Sequence, residues 1–93
     1  MKPKDFEKIF KSLANRRRVA VLIYLKRNKE VNVGAFAKEF HLSLPAMSRH
    51  LNLLEKAGIL EKDQRDKEVF YRLAASPHRF IFIQKFLDDL PNE

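Results

Sequence analysis

The chain has no cysteine and no tryptophan, and only two glycines and four prolines among its 93 residues. Without cysteine there is no disulfide, no thiolate metal site and no thiol redox sensor. Two glycines leave no glycine-rich loop of the kind that cradles phosphates. The longest apolar run, VAVLIYL at 19–25, is too short to cross a bilayer, and the opening MKPKDFEKIF is charged throughout, unlike a signal peptide. A cytoplasmic, helix-rich chain with no membrane partner is the expectation. The three histidines, His41, His50 and His78, show neither zinc-ligand spacing nor a partnered serine, so no catalytic site is expected. Acidic residues are in deficit. Twelve Asp and Glu face 19 Lys and Arg, giving a net charge of +7 and a pI near 9.9. That balance favours a polyanionic partner, nucleic acid ahead of an anionic membrane surface. Residues 1–93 are long enough for one domain with a modest core, a size at which a second subunit often adds stability.

The most organised stretch is 36–58, FAKEFHLSLPAMSRHLNLLEKAG. Phe36, Ala37 and Phe40 fall at helical spacing before His41-Leu42-Ser43. Met47, Leu51 and Leu54 fall at i, i+4 and i+7 after it, so one face is buried while Ser48, Arg49, Asn52 and Glu55 point elsewhere. Ser43 is placed to cap the second helix, Pro45 lies in its first turn, and Gly58 ends it. A tight helix–turn–helix over 34–57 follows, the layout of a helix presented to DNA by its neighbour.

The rest of the chain reads as support. Phe6, Ile9, Phe10 and Leu13 make an amphipathic stripe on a helix over 4–13. Asn15 offers a cap before Arg16, Arg17 and Arg18 and the run at 19–25, whose β-branched residues also suit a strand. The cap and the polar continuation through Lys26, Arg27 and Asn28 favour a helix of about three turns. Val31-Asn32-Val33 is a short extended piece, with Asn32 available to cap the helix carrying Phe36. From Ile59 to Leu73 the period changes to two, interrupted by the polar cluster DQRDK, which predicts a β-hairpin over 59–73 with a charged tip. Ser76-Pro77 starts a last helix over 76–90. Its residues Phe80, Ile83, Leu87 and Leu90 form one apolar stripe, and Phe82 and Phe86 an offset second one. Two stripes need cover on two sides, so a two-fold dimer through the terminal helices is expected, with Phe6, Ile9, Phe10, Phe80, Phe82, Ile83, Phe86, Leu87 and Leu90 between subunits.

Helix, helix, short strand, helix–turn–helix, hairpin, helix is the winged helix–turn–helix order, mainly α with a small β wing. FKSLANRRRVAVLIYL resembles the opening of the ArsR/SmtB family of repressors, LSLPAMSRHLNLLEKAGIL its recognition helix, and EVFYRL its second wing strand. The similarity covers residues 6–75 in three ordered blocks. It implies a homodimeric repressor whose recognition helices enter successive major grooves of double-stranded DNA. The family's metal-sensing branch has a cysteine-containing segment where this chain reads VNVGAF. Its other metal site uses several His and acidic residues on the last helix, where this chain has His78 and, about 15 Å away at helical rise, Asp88 and Asp89. Only a site bridging subunits joins them, so no metal and no cofactor are expected. A small-molecule or protein effector is left open.

On that reading Ser43, Leu44, Pro45, Ala46, Ser48, Arg49 and His50 approach the duplex. Leu44, Pro45 and Ala46 suit thymine methyl groups, Arg49 suits guanine, and Ser48 suits a base or a phosphate. His50 either meets a phosphate or fills space beside the wing. Arg16, Arg17 and Arg18 are expected on phosphates, and Arg65 or Lys67 weakly in the minor groove. The competing reading is a winged-helix protein-interaction module that never meets DNA, which the apolar start of the recognition helix would serve.

Overall fold

Two asparagines and a serine start three helices, each through the same local bond. The computed structural model describes residues 2–75 and 81–91, with the side chains of 81–84 outside that description. After α1 (Pro3–Leu13), α2 (Arg16–Asn28) begins where Asn15 Oδ1 accepts the Arg18 N–H at 3.1 Å. β1 (Glu30–Asn32) leads into α3 (Val33–Phe40), capped by Asn32 Oδ1 accepting from Ala35 at 2.7 Å. α4 (Leu44–Lys56) begins with Ser43 Oγ accepting from Ala46 at 3.2 Å, and Pro45 lies in its first turn. Each bond satisfies a backbone donor that a helix start leaves unpaired, a contribution of about 1 kcal/mol apiece. The run at 19–25 is helical as its cap suggested, with Val21, Leu22 and Leu25 buried. The short strand lies one residue earlier than the expected Val31-Asn32-Val33. Once Asn32 turns its side chain to the α3 backbone, Val33 becomes the first helical residue.

Both helices of the helix–turn–helix are closed at their C-terminal ends by backbone bonds. At the end of α3, His41 takes the left-handed conformation (φ 54°), and the Leu42 N–H donates to Ala37 O at 2.9 Å. A histidine there carries a penalty of about 1–2 kcal/mol that glycine would avoid. At the end of α4 glycine is present. Gly58 has φ 82°, its N–H donates to Glu55 O, and that of Ile59 donates to Leu54 O.

The hairpin is β2 (Leu60–Arg65) and β3 (Glu68–Leu73), and the sheet order is β1-β3-β2, antiparallel throughout. The five-residue turn expected at DQRDK is shorter. Pairing continues to Arg65 opposite Glu68, so Asp66 and Lys67 alone make the turn, with Asp66 at φ 54°. A two-residue hairpin turn needs positive φ, which aspartate tolerates better than most residues.

The core gathers Ile9, the buried face of α2, Phe36, and Met47, Leu51 and Leu54 of α4 under Ile59, Leu60 and Tyr71. Tyr24, Phe36 and Phe40 pack as an aromatic trio, with centroids 5.7–6.2 Å apart. α5 (Ile81–Asp88) closes the domain; the expected helix start at Ser76-Pro77 lies outside the described residues. Lys26 Nζ donates to Asp88 O at 2.7 Å and Leu90 O at 2.8 Å, tying the end of α5 to α2.

The residues expected between subunits divide. Ile9, Leu87 and Leu90 are 1%, 4% and 8% exposed, so the chain's own core already takes them up. Phe86 is half-buried against that core. Phe6 and Phe10 lie at the surface of α1, 38% and 58% exposed. Phe80 and the side chains of Phe82 and Ile83 lie outside the described residues.

Candidate nucleic-acid interface

α4 is amphipathic at a pitch that leaves one face outward. With Met47, Leu51 and Leu54 wholly buried, the opposite side presents Pro45, Ser48, Arg49, Asn52, Leu53 and Lys56 along a shallow groove of about 360 Å³. Leu44, at the first helical position, is 56% exposed, and Leu53 is 44% exposed. Leu44 and Ser48 also border a second cleft, with the start of α3 at Asn32, Val33 and Gly34 on one side and Lys67, Glu68 and Val69 of the wing on the other. Ser43 keeps its side chain on the Ala46 N–H, and Ala46 is half-buried.

Two long-range contacts hold α4 besides its core face. The Tyr71 hydroxyl, from β3, donates to Asn52 Oδ1 at 2.8 Å. The Arg18 guanidinium reaches His50 Nδ1 at 3.2 Å and donates to the carbonyls of Ser12 (2.6 Å) and Lys11 (3.2 Å), at the end of α1. Arg18 therefore ties α1 to α4, a use of its guanidinium that its place in an arginine run does not signal. Arg16 and Arg17 are exposed, and with Asn15 and Ala20 they face Glu39, Phe40 and His41 across an open groove of about 610 Å³.

His50 stands against Arg18. Its pKa is lowered by burial first, then by the charges of Arg18, Arg17 and Arg49. A neutral ring accepting at Nδ1 carries its proton on Nε2. Positive charge from the start of α2 (Arg17, Arg18) and from α4 (Arg49) thus acts on the same ring.

The wing is different. Arg65 pairs with Glu30 at 2.6 Å and Asp63 at 3.0 Å, and its guanidinium lies 4.5 Å above the Phe70 ring. Arg72 pairs with Glu61 at 3.1 Å and Glu30 at 3.4 Å. Of the two wing residues expected near a minor groove, Arg65 is folded back on the sheet, while Lys67 is exposed at the tip.

Sequence reasoning placed Asn52 on the outward face but gave it no role. Its link to Tyr71 spans 19 positions and crosses from helix to strand, so no local pattern signals it. Lys56 was likewise passed over, although it continues the same helical row. Among the described residues, no three His, Asp or Glu side chains gather closely enough to hold a metal ion, and no helix is long and apolar enough to cross a membrane. His78 lies outside the described residues; Asp88 and Asp89 are exposed.

Comparison with known proteins agrees with this architecture. A family model described as MarR family matches residues 15–67, from the Asn15 cap through the helix–turn–helix to the wing tip. The chain is 35% identical over 81 residues to the arsenical resistance operon repressor of Escherichia coli, a match covering 87% of this chain and 68% of that one. It is 34% identical over 68 residues to the transcriptional activator HlyU of Vibrio cholerae, covering 73% of this chain and 62% of that one. The chain thus spans about two thirds of the length of these relatives. Among solved structures it resembles a homodimeric winged helix–turn–helix DNA-binding domain from Mycobacterium bovis, with a TM-score of 0.73, 27% identity, and coverage of 97% of this chain and 85% of that one. A structure described as an ArsR family transcriptional regulator gives a TM-score of 0.75 at 26% identity, covering 96% of this chain and 89% of that one. The order of helices, the capped recognition segment and the wing, together with these matches, place one conclusion beyond the fold: the chain belongs to the ArsR/SmtB-type winged helix–turn–helix transcriptional regulators.

Proposed function

We propose that the protein is a dimeric repressor that binds double-stranded DNA sequence-specifically, inserting α4 of each protomer into successive major grooves. The observation that carries this reading is the outward face of α4, left open by a helix whose other side is wholly buried. The outward face of α4 presents Leu44, Pro45, Ser48 and Arg49, while Arg16 and Arg17 stand exposed at the flank. In that arrangement Arg49 reads guanine, Leu44 and Pro45 press on thymine methyl groups, and Arg16 and Arg17 hold phosphates at the start of α2. Lys67, at the far side of the Leu44 cleft, reaches the adjacent backbone or minor groove. Support for a dimer comes from the exposed Phe6 and Phe10 on α1 and from the homodimeric state of the Mycobacterium bovis relative. Phe80, Phe82 and Ile83, on the segment that leads through α5, are the further residues assigned to that contact.

The exposed Leu44 and Leu53 favour one rival, a surface for another protein. Mobility shifts with a random duplex at 50 and 200 mM salt separate the two. Neutralising about six phosphates per dimer predicts an affinity loss on the order of a thousandfold across that range. No shift at either salt concentration would favour the protein-binding surface.

A further inference from the structure

Tyr71 is 2% exposed, and its hydroxyl donates to Asn52 Oδ1 at 2.8 Å. A phenol this deep needs a partner. Here it takes the acceptor end of a side-chain amide, the Oδ1 of Asn52. With Oδ1 turned to the buried phenol, the Nδ2 end, two donors and no acceptor, is directed away from it. Burial, with Glu55 adding to it, pushes the Tyr71 pKa up, so the hydroxyl keeps its proton and goes on donating. Asn52 is half-buried and borders the groove shared with Ser48, Arg49 and Lys56. Each of these neighbours also presents N–H or O–H groups.

We propose that Asn52 is a further DNA contact, its Nδ2 donating to a phosphate oxygen, and that Tyr71 is the positioning residue that turns the amide donor-outward. The proposal deepens the DNA-binding reading and rests on it. A phosphate is the partner because of where Asn52 sits. It lies eight residues past Leu44, about 12 Å along the axis, and base edges meet the N-terminal end of a recognition helix. A phosphate oxygen only accepts, which matches a group that only donates. The wing thereby sets the hydrogen-bonding sense of the recognition helix through one buried hydroxyl, without its strand touching the duplex there.

The test measures affinity of the full chain for a random duplex and for a duplex selected from a random pool, using Asn52→Ala, Asn52→Asp, Tyr71→Phe and the double variant Asn52→Ala/Tyr71→Phe, with thermal melting to show that each folds. Asn52→Ala is expected to weaken both duplexes about tenfold, the loss of a hydrogen bond to a charged group. Asn52→Asp, which sets a carboxylate against the phosphate, is expected to lose on the order of a hundredfold. Tyr71→Phe is expected to lose about threefold in the wild-type background and nothing further when Asn52 is already Ala. Equal losses from Tyr71→Phe in both backgrounds would make Tyr71 merely structural and overturn its positioning role. A loss confined to the selected duplex would overturn the phosphate assignment. Binding unaffected by Asn52→Ala would overturn the contact itself, whereas absence of binding by the unchanged protein would overturn DNA binding and this contact with it.

Discussion

The start of α2 and the wing carry similar side chains and use them in opposite ways. At the start of α2, Arg16 and Arg17 are exposed, and Arg17 and Arg49 of α4 both act on His50. In the wing, Arg65 and Arg72 are engaged by Glu30, Glu61 and Asp63 of the same sheet. Glu30 is the hinge of that network, since one carboxylate on β1 holds both arginines of the hairpin. The lesson is that formal charge and charge on offer differ. Cations already matched to carboxylates contribute little to the field a polyanion meets, and these exposed pairs add little to stability either.

That contrast can be broken in several places. The largest effect is expected at Arg18, the inward member of the arginine run. Arg18→Ala removes its bonds to Lys11 O, Ser12 O and His50, and is expected to lower stability by about 2–3 kcal/mol. In a domain this size that is a fall of roughly 10 °C or more in melting temperature. Arg17→Ala should leave melting within about 0.5 kcal/mol of the original, yet weaken every duplex about tenfold in a binding titration; Arg65→Ala should change affinity less than twofold. Glu30→Gln removes one carboxylate from Arg65 and Arg72, which keep Asp63 and Glu61, and is expected to raise affinity for random DNA by about threefold and steepen its salt dependence. A result in which Arg65→Ala matches Arg17→Ala would erase the distinction between the two regions.

The smallest effect is one of pH. His50 has its pKa lowered by burial and by Arg18, Arg17 and Arg49, so the unfolded chain takes up a proton there before the folded one does. The stability linked to a neutral His50 is fully present above the ordinary histidine value near 6.5. It is lost as pH falls through the lowered folded value. Melting curves between pH 7 and pH 5 should fall less steeply for His50→Gln than for the unchanged protein.

What could be read from the chain was what neighbouring residues decide among themselves. Asn15, Asn32 and Ser43 each cap through a bond three residues long, so residue type and position sufficed. Gly58 likewise marks its helix end through its own φ. The outward row of α4 followed from helical periodicity alone. The direction of a long side chain did not. Arg17 and Arg18 are adjacent and identical, and the one that turns inward meets the end of α1 and a histidine 32 positions away. The length of the hairpin turn depended on how far the two strands stay paired, to Arg65 opposite Glu68, with Asp66 taking positive φ. Ile9, Leu87 and Leu90 are read from their stripes as intersubunit, but a stripe cannot say whether its cover comes from the same chain. Here the core of a small domain drew on them first.

The measurement that bears most directly on the proposed mode of binding is selection of bound duplexes from a random pool. Two symmetric half-sites centred one duplex turn apart, 10–10.5 base pairs, are what a pair of α4 helices in successive major grooves predicts. Recovery of a single unrepeated half-site, or of no shared sequence at all, would contradict it.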